Sequence, residues 1–152
     1  MEIELKEVRP GDPEVMRLVE GLRDEVESRG AHNGVARPTT SLAEAVQRDC
    51  DKVLAYADSV PAGTGALREL QPGIAEIKRM YVLPAYRGGR IAGRMLKELE
   101  RRARARGFEA IRLDTHDRLV EAIGMYRGAG YREIPDYNSN PRSNCWFEKS
   151  LG

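Results

Sequence analysis

The sequence predicts a mixed α/β (α+β) domain. Its expected core is a mostly antiparallel sheet of about six or seven strands, flanked by about four helices, with one parallel crossover near the middle. Three observations carry this expectation. Meandering strand-like runs with Gly, Pro and Ser turns come first, and a strand–helix–strand–helix–strand series follows. At 152 residues the chain reads most simply as one domain, 1–152, long enough to bury a core.

The elements follow in order. "IELKEVRP" alternates as a first strand. "GDPEVMRLVEGLRDEVESRG" is a helix with Asp12 as N-cap, Pro13 in the first turn and apolar residues at 15, 18, 19, 22 and 26. "GAHNGVARPTT" is a loop, and "SLAE" is a capping box, Ser41 with Glu44, that opens a short helix. "KVLAYAD" and "AGTGALREL", joined around "SVPAG", form a hairpin. "QPG" then turns into "IAEIKRMYV", the most strand-like run of the chain. A helix from about Arg90 to Arg106 carries its apolar residues 91, 92, 95, 96, 99 and 103 on one stripe and stops at Gly107. "FEAIRLDT" is a strand, 118–129 a helix with 119, 122, 123 and 126 on one face, and "NCWFEKSL" a last strand after the loop "EIPDYNSNPRS".

Composition excludes several function classes. Charged residues make up 32% but nearly cancel, to a net +1, which argues against a dedicated nucleic-acid binder. The positive charge is concentrated: Lys78 to Arg106 holds ten Lys or Arg against two Glu, so an anion site is expected there. No apolar run suits a membrane span, and the N-terminus lacks a signal-peptide pattern. Cys50 and Cys145 have no paired-ligand spacing, and His32 and His116 belong to no metal motif. No metal, no disulfide and a reducing cytoplasm are the expectations.

The anion site is sought in "AYRGGRIAGRML", residues 85–96, where a strand gives way to a helix and backbone amides lie bare. A P-loop reading fails because Arg94 replaces its lysine and Met95 the hydroxyl that would hold magnesium. A dinucleotide reading matches at Gly88 and Gly93, but Arg90 stands where the second glycine must let a pyrophosphate approach. A run of free N–H groups at a helix start, aided by the helix dipole and by Arg87, still suits a pyrophosphate without a metal.

"RGGRIA", 87–92, resembles the [Q/R]-x-x-G-x-[G/A] pyrophosphate loop of the GNAT superfamily of N-acetyltransferases. "LDTHDRLVEAIGMYRGAGYREI" resembles the same family's fifth strand and following helix, with its A-x-x-x-Y-x-x-x-G-[FY] run ending at Tyr126, Gly130 and Tyr131. The two motifs stand in order, on the right elements. The resemblance implies a sheet with splayed central parallel strands and acetyl-CoA as acyl donor. It implies that Arg87, Gly88, Gly89, Arg90, Ile91, Ala92 and Gly93 cradle the pyrophosphate, and that the amides of Met80 and Val82 pair with the pantetheine arm. A backbone amide near Met80 or Tyr81 then serves the oxyanion. Two residues depart from the pattern. Arg90 replaces the central loop glycine, tolerable if the residues there approach helical geometry, and Leu119 replaces a polar side chain.

Acetyl transfer to an amine needs a proton acceptor, an oxyanion donor and an acid for the departing thiolate. The resemblance offers Glu76, on the fourth strand, as acceptor, directly or through water. It offers Tyr126 as acid, in contact with the cofactor. The implied reaction is direct transfer in a ternary complex to a primary amine, such as an amino acid or related metabolite. "GAHNGVARP" and "PDYNSNPR" are expected as opposite walls of the acceptor site, with Arg37 and Arg142 to hold a carboxylate. A peptide or protein amine, a non-catalytic acetyl-CoA sensor and a homodimer remain open on sequence alone.

Overall fold

Tight turns and period-two alternation organise the first half of the chain. The computed structural model describes residues 1–9, 11–88 and 90–152. β1 (Ile3–Glu7) pairs antiparallel with β2 (Asp51–Ala57), β2 with β3 (Val60–Gln71), and β3 with β4 (Ile74–Val82). The β2–β3 turn is tighter than the expected "SVPAG". Only Asp58 and Ser59 lie outside the strands, both left-handed at φ 47° and 68°, as a two-residue hairpin turn requires. Val60 and Pro61 therefore join β3, and Pro61 is tolerated where the register slips beside Tyr56.

β5 (Ala110–Thr115) runs parallel to β4, and β7 (Cys145–Ser150) antiparallel to β5. A two-residue strand outside the elements that the sequence predicts, β6 (Arg132–Glu133), pairs with β7 at the sheet edge. The sheet order is β1-β2-β3-β4-β5-β7-β6. It is the mostly antiparallel, seven-stranded mixed sheet that the sequence predicts.

Four helices cover it: α1 (Pro13–Ser28), α2 (Leu42–Val46), α3 (Ile91–Ala105) and α4 (Val120–Gly128). Asp12 caps α1 by accepting from the amides of Glu14 and Val15, and Ser41 caps α2 by accepting from Glu44. Adjacent residues of β2 show how the faces divide. Val53 packs with Ile91, Met95, Leu96 and Leu99 of α3, while Leu54 packs with Val15, Leu18 and Val19 of α1. Ile91, Met95, Leu96 and Leu99 are each at most 1% exposed, so each adds roughly 1.5–3 kcal/mol of apolar burial. No helix among the described residues is long and apolar enough to cross a membrane.

Candidate active site

Two irregularities in β4 make the site. The first is a bulge. Thr64 faces Tyr81 and Ala66 faces Lys78, so Arg79 and Met80 together oppose Gly65, with Arg79 at φ 53°. Inside–outside parity changes there: Ala75 and Ile77 face the α3 side before the bulge, and Met80 and Val82 after it. Tyr81 is turned to α1, where a Cβ on Gly21 would lie 3.1 Å from its hydroxyl. The second irregularity is a parting of strands. β4 and β5 pair only over Ile74–Glu76 and Ala110–Arg112. Beyond those pairs Lys78 Nζ reaches across to Asp114 Oδ2 at 3.3 Å.

One cavity, of about 460 Å³, opens where the glycine loop meets α3. Met80, Tyr81, Val82, Arg87, Gly88, Arg90, Ala92, Gly93 and Tyr126 line it. Gly89 lies outside the described residues. Ile91 is turned into the core at 1% exposure, which leaves only its backbone for a ligand. The first intrahelical bond of α3 runs from Arg94 N–H to the Arg90 carbonyl, so the N–H groups of Ile91, Ala92 and Gly93 have no partner within the helix. Bare amides at a helix start suit an anion.

Two expectations about the loop need correction. Arg90 does not sit in ordinary helical geometry but in the left-handed region, at φ 69° and ψ 8°. A β-carbon there clashes with the following carbonyl, at a cost of about 1–2 kcal/mol. Arg87 lines the cavity, but its guanidinium is already engaged. It donates to Glu25 at 2.7 Å and to the Val82 carbonyl at 2.9 Å. Glu25 in turn lies 3.7 Å from Arg29, which holds Glu121 at 2.8 Å. This chain of two cations and two carboxylates ties the loop to α1 and α4. Arg90 and Arg94 are the exposed positive charges of the loop and the α3 start.

A second cavity, of about 540 Å³, lies on the α1–α2 side of the parted strands. Leu22, Met80, Leu119, Ala122 and Tyr126 line both cavities, so the two meet at the tyrosine. Tyr126 is 5% exposed, its ring held edge-on by Tyr131 at 5.7 Å and tilted against Phe147 at 6.4 Å. Burial, and secondarily the Asp114 carboxylate, push its pKa up, so it stays protonated at neutral pH.

Glu76 is fully buried and lines neither cavity. One oxygen accepts from Arg68 Nε and Nη2, at 2.8 and 2.7 Å, and the other from the Tyr137 hydroxyl at 2.5 Å. Lys78 stands 3.8 Å away, between Glu76 and the cavity that it lines with Asp114. Burial alone would raise the pKa of Asp114. Lys78 and the side-chain amides of Asn138 and Asn140 outweigh this and hold it below the ordinary carboxylate value.

The two acceptor loops do not face one another; they join. Asn33 Nδ2 donates to the carbonyls of Pro141 and Ser143 at 3.1 and 2.9 Å, and Arg142 donates to the Val35 carbonyl at 2.6 Å. His116 is buried among them. Its Nδ1 accepts from the Arg118 amide, so Nε2 carries the proton and donates to Asn33 Oδ1 at 2.8 Å. Arg142 is also paired with Glu27, and Arg37 with Asp24 and Glu27, so neither guanidinium is idle. Asp114, Arg79 and Arg48 were not anticipated as lining residues. Only Asp114 left a signal, as a carboxylate near the C-terminal end of a parallel strand, where ligands of such sheets gather. Among the described residues no group of three or more His, Cys, Asp and Glu is gathered to hold a metal ion.

A helix start with bare amides, strands that part and two cavities meeting at one tyrosine are the features of this site. Comparison with known proteins gives the family. The model for the acetyltransferase (GNAT) family matches residues 19–131, which include both motifs. The chain belongs to that family. It is similar to an IAA acetyltransferase of Azospirillum brasilense, 37% identical over 93 residues, and the match spans 59% of this chain and 60% of that relative's length. A GNAT-family acetyltransferase structure from Staphylococcus aureus superposes with a TM-score of 0.81 at 20% identity, covering 99% of this chain and 100% of that one. The PaiA N-acetyltransferase of Thermoplasma acidophilum, solved in complex with coenzyme A, has a TM-score of 0.74 at 22% identity and covers 99% of both chains. At such identities the structures speak for the fold alone.

Proposed function

We propose that this protein transfers the acetyl group of acetyl-CoA to a primary amine of a small molecule, directly, with both ligands bound at once. The observation that carries the reading is the shared wall. Donor and acceptor cavities meet at Met80 and Tyr126, so an amine in one lies against a thioester in the other without a covalent enzyme intermediate.

In this reading the amides of Ile91, Ala92 and Gly93, with Gly88, Gly89 and the charge of Arg90, hold the pyrophosphate. Arg87 positions the loop through Glu25. Met80, Tyr81 and Val82 present backbone to the pantetheine arm, and the bulge at Arg79 frees an amide near Met80 or Tyr81 for the oxyanion. The amine must first lose its proton. Glu76 lines neither cavity, so it takes the proton by relay: Lys78, which lines the acceptor cavity 3.8 Å from the carboxylate, hands it a proton and regains one from the amine through water. The amine nitrogen then bonds to the acetyl carbon and the carbon–sulfur bond breaks, leaving a thiolate. Full transfer from an ordinary phenol of pKa ~10 to a thiolate of pKa ~8.5 runs uphill. The raised pKa of Tyr126 makes it more so. Tyr126 therefore works first as a hydrogen-bond donor to the sulfur, and the proton on sulfur is drawn from the newly acylated nitrogen or from solvent.

The test is thiol release from acetyl-CoA against an amine panel, beside calorimetric titration with acetyl-CoA. Turnover is expected with at least one amine, and Tyr126→Phe should lower kcat by about 10²-fold, with KM for acetyl-CoA little changed. Tight acetyl-CoA binding with no turnover on any amine would favour a binding module instead.

A further inference from the structure

We propose that the acceptor carries a carboxylate, and that Arg79 and Arg48, which line the acceptor cavity, bind it. The proposal rests on the acetyltransferase reading above and adds the substrate's charge. Six cationic side chains line that cavity, and the only carboxylates among its lining residues are Glu44 and Asp114. Three of the six are satisfied: Arg68 by Glu76, Lys78 by Asp114 and Arg142 by Glu27. Arg23 keeps only a 3.5 Å contact with the half-exposed Glu20. Arg79 shares its one carboxylate, Asp49, with Lys52, and Arg48 remains.

Arg79 belongs to a buried cluster whose charges do not balance. Asp49, with no exposed side-chain surface, meets Arg79 Nη2 at 2.5 Å and Lys52 Nζ at 3.0 Å, and Lys52 is 1% exposed. Two cations thus share one carboxylate. Arg79 Nε is buried without a hydrogen bond, and Lys52 Nζ is held only by Asp49 Oδ2. A surplus buried charge is costly unless a counter-charge is brought to it. The cavity wall that Arg79 forms is where an anion can arrive.

The backbone points the same way. Arg79 is held at φ 53°, a conformation that disfavours any residue with a β-carbon, and strain of this kind persists where the surroundings impose it for function. It sits next to Met80, which lines both cavities, so an anionic group on Arg79 leaves its amine close to the meeting point. Arg48 adds a second guanidinium fork from the segment after α2, exposed and adjacent in sequence to Asp49. The planar fork matches a carboxylate. The sequence reading also expected a substrate carboxylate, but on Arg37 and Arg142, which the structure commits to Asp24 and Glu27.

The test is calorimetric titration of the coenzyme-A-saturated protein with three series matched in length from two to six carbons: ω-amino acids, alkylamines and α,ω-diamines. Thiol release is measured on the same compounds with acetyl-CoA. The best ω-amino acid should bind about tenfold or more tightly than its alkylamine and diamine counterparts, the worth of a charge-assisted contact. Arg48→Gln should shrink that preference, and Arg48→Glu should turn it toward the diamine. Both act at an exposed residue, so folding is not at stake. Arg79→Lys should also shrink it, with melting temperature as the check on folding. Alkylamines or diamines that bind as well as amino acids, or a preference untouched by all three substitutions, overturn the proposal. If alkylamines or diamines are still acetylated in that event, the acetyltransferase reading stands. Loss of coenzyme A binding by the wild type would instead overturn the reading beneath both.

Discussion

Lys78 Nζ lies 3.3 Å from Asp114 Oδ2, an ion pair thrown across the gap between two parallel strands that share only three register pairs. Where backbone hydrogen bonds stop, this side-chain link continues, and it leaves the space between the strands open at the acceptor cavity. Lys78 is the largest influence lowering the pKa of Asp114. In the folded protein that carboxyl is held below its ordinary value of 3.8, so its stabilisation is present above that pH and lost as pH falls through the folded value. Lys78→Met removes the attraction and lets the pKa rise. The variant should be less stable at pH 7 by about 1–3 kcal/mol. Its gap in melting temperature from wild type should close below about pH 4. A gap that stays constant from pH 7 to pH 3 refutes the coupling.

His116 sets a different pH dependence. Burial, and more weakly the charge of Arg118, depress its pKa from the ordinary 6.5 against the pull of Asp117. The unfolded chain takes up a proton at 6.5 while the folded chain resists. This contribution to stability is therefore complete above pH 6.5 and declines as pH drops through and below it. Protonation would also put a second N–H where the Arg118 amide now donates, loosening the Asn33 link between the acceptor loops. His116→Gln should flatten the fall in melting temperature between pH 7.5 and 5. Parallel curves for the two proteins over that range would sink the idea.

Gly65 faces the bulge, and a Cβ there would collide with Met80 Sδ and lie 3.1 Å from Leu99 Cδ1. Gly65→Ala should displace Met80, since a thioether swings more easily than the packed leucine. The expected loss of stability is about 1–3 kcal/mol, typical of an overfilled core. Because Met80 lines both cavities, kcat/KM for the amine should fall as well. An unchanged kcat/KM in a folded Gly65→Ala protein would show that Met80 does not shape the junction.

Arg90→Gly separates backbone strain from charge. Glycine relieves the left-handed clash, worth about 1–2 kcal/mol, but frees the unfolded chain by about 0.4–1 kcal/mol. Stability should therefore hold or rise slightly, while KM for acetyl-CoA increases several-fold with the loss of an exposed positive charge at the start of α3. A lower KM would mean that the arginine obstructs the loop rather than serving it.

The features legible in the sequence are those written by near neighbours. Asp12 and Ser41 before helical stripes, Gly73 in a turn, and the bare amides of 87–93 all depend on residues a few positions apart. They could be read before any fold was known. The bare amides are read this way, whereas Tyr126 is singled out by the family resemblance. Pairings across the chain are not legible locally. Arg87 is legible as a positive charge, yet its ion-pair partner is Glu25, 62 positions away, which nothing local to the loop foretells. Glu76 reads as an open base until Arg68 and Tyr137 close on its oxygens. The bulge at Arg79 leaves no mark in "IAEIKRMYV", because a bulge is a mismatch of length between two strands and belongs to neither alone. Local periodicity and turn chemistry are short-range and specify the elements. Whether a charge binds substrate or merely its neighbour depends on which elements pack together, and the long-range folding of the chain sets that.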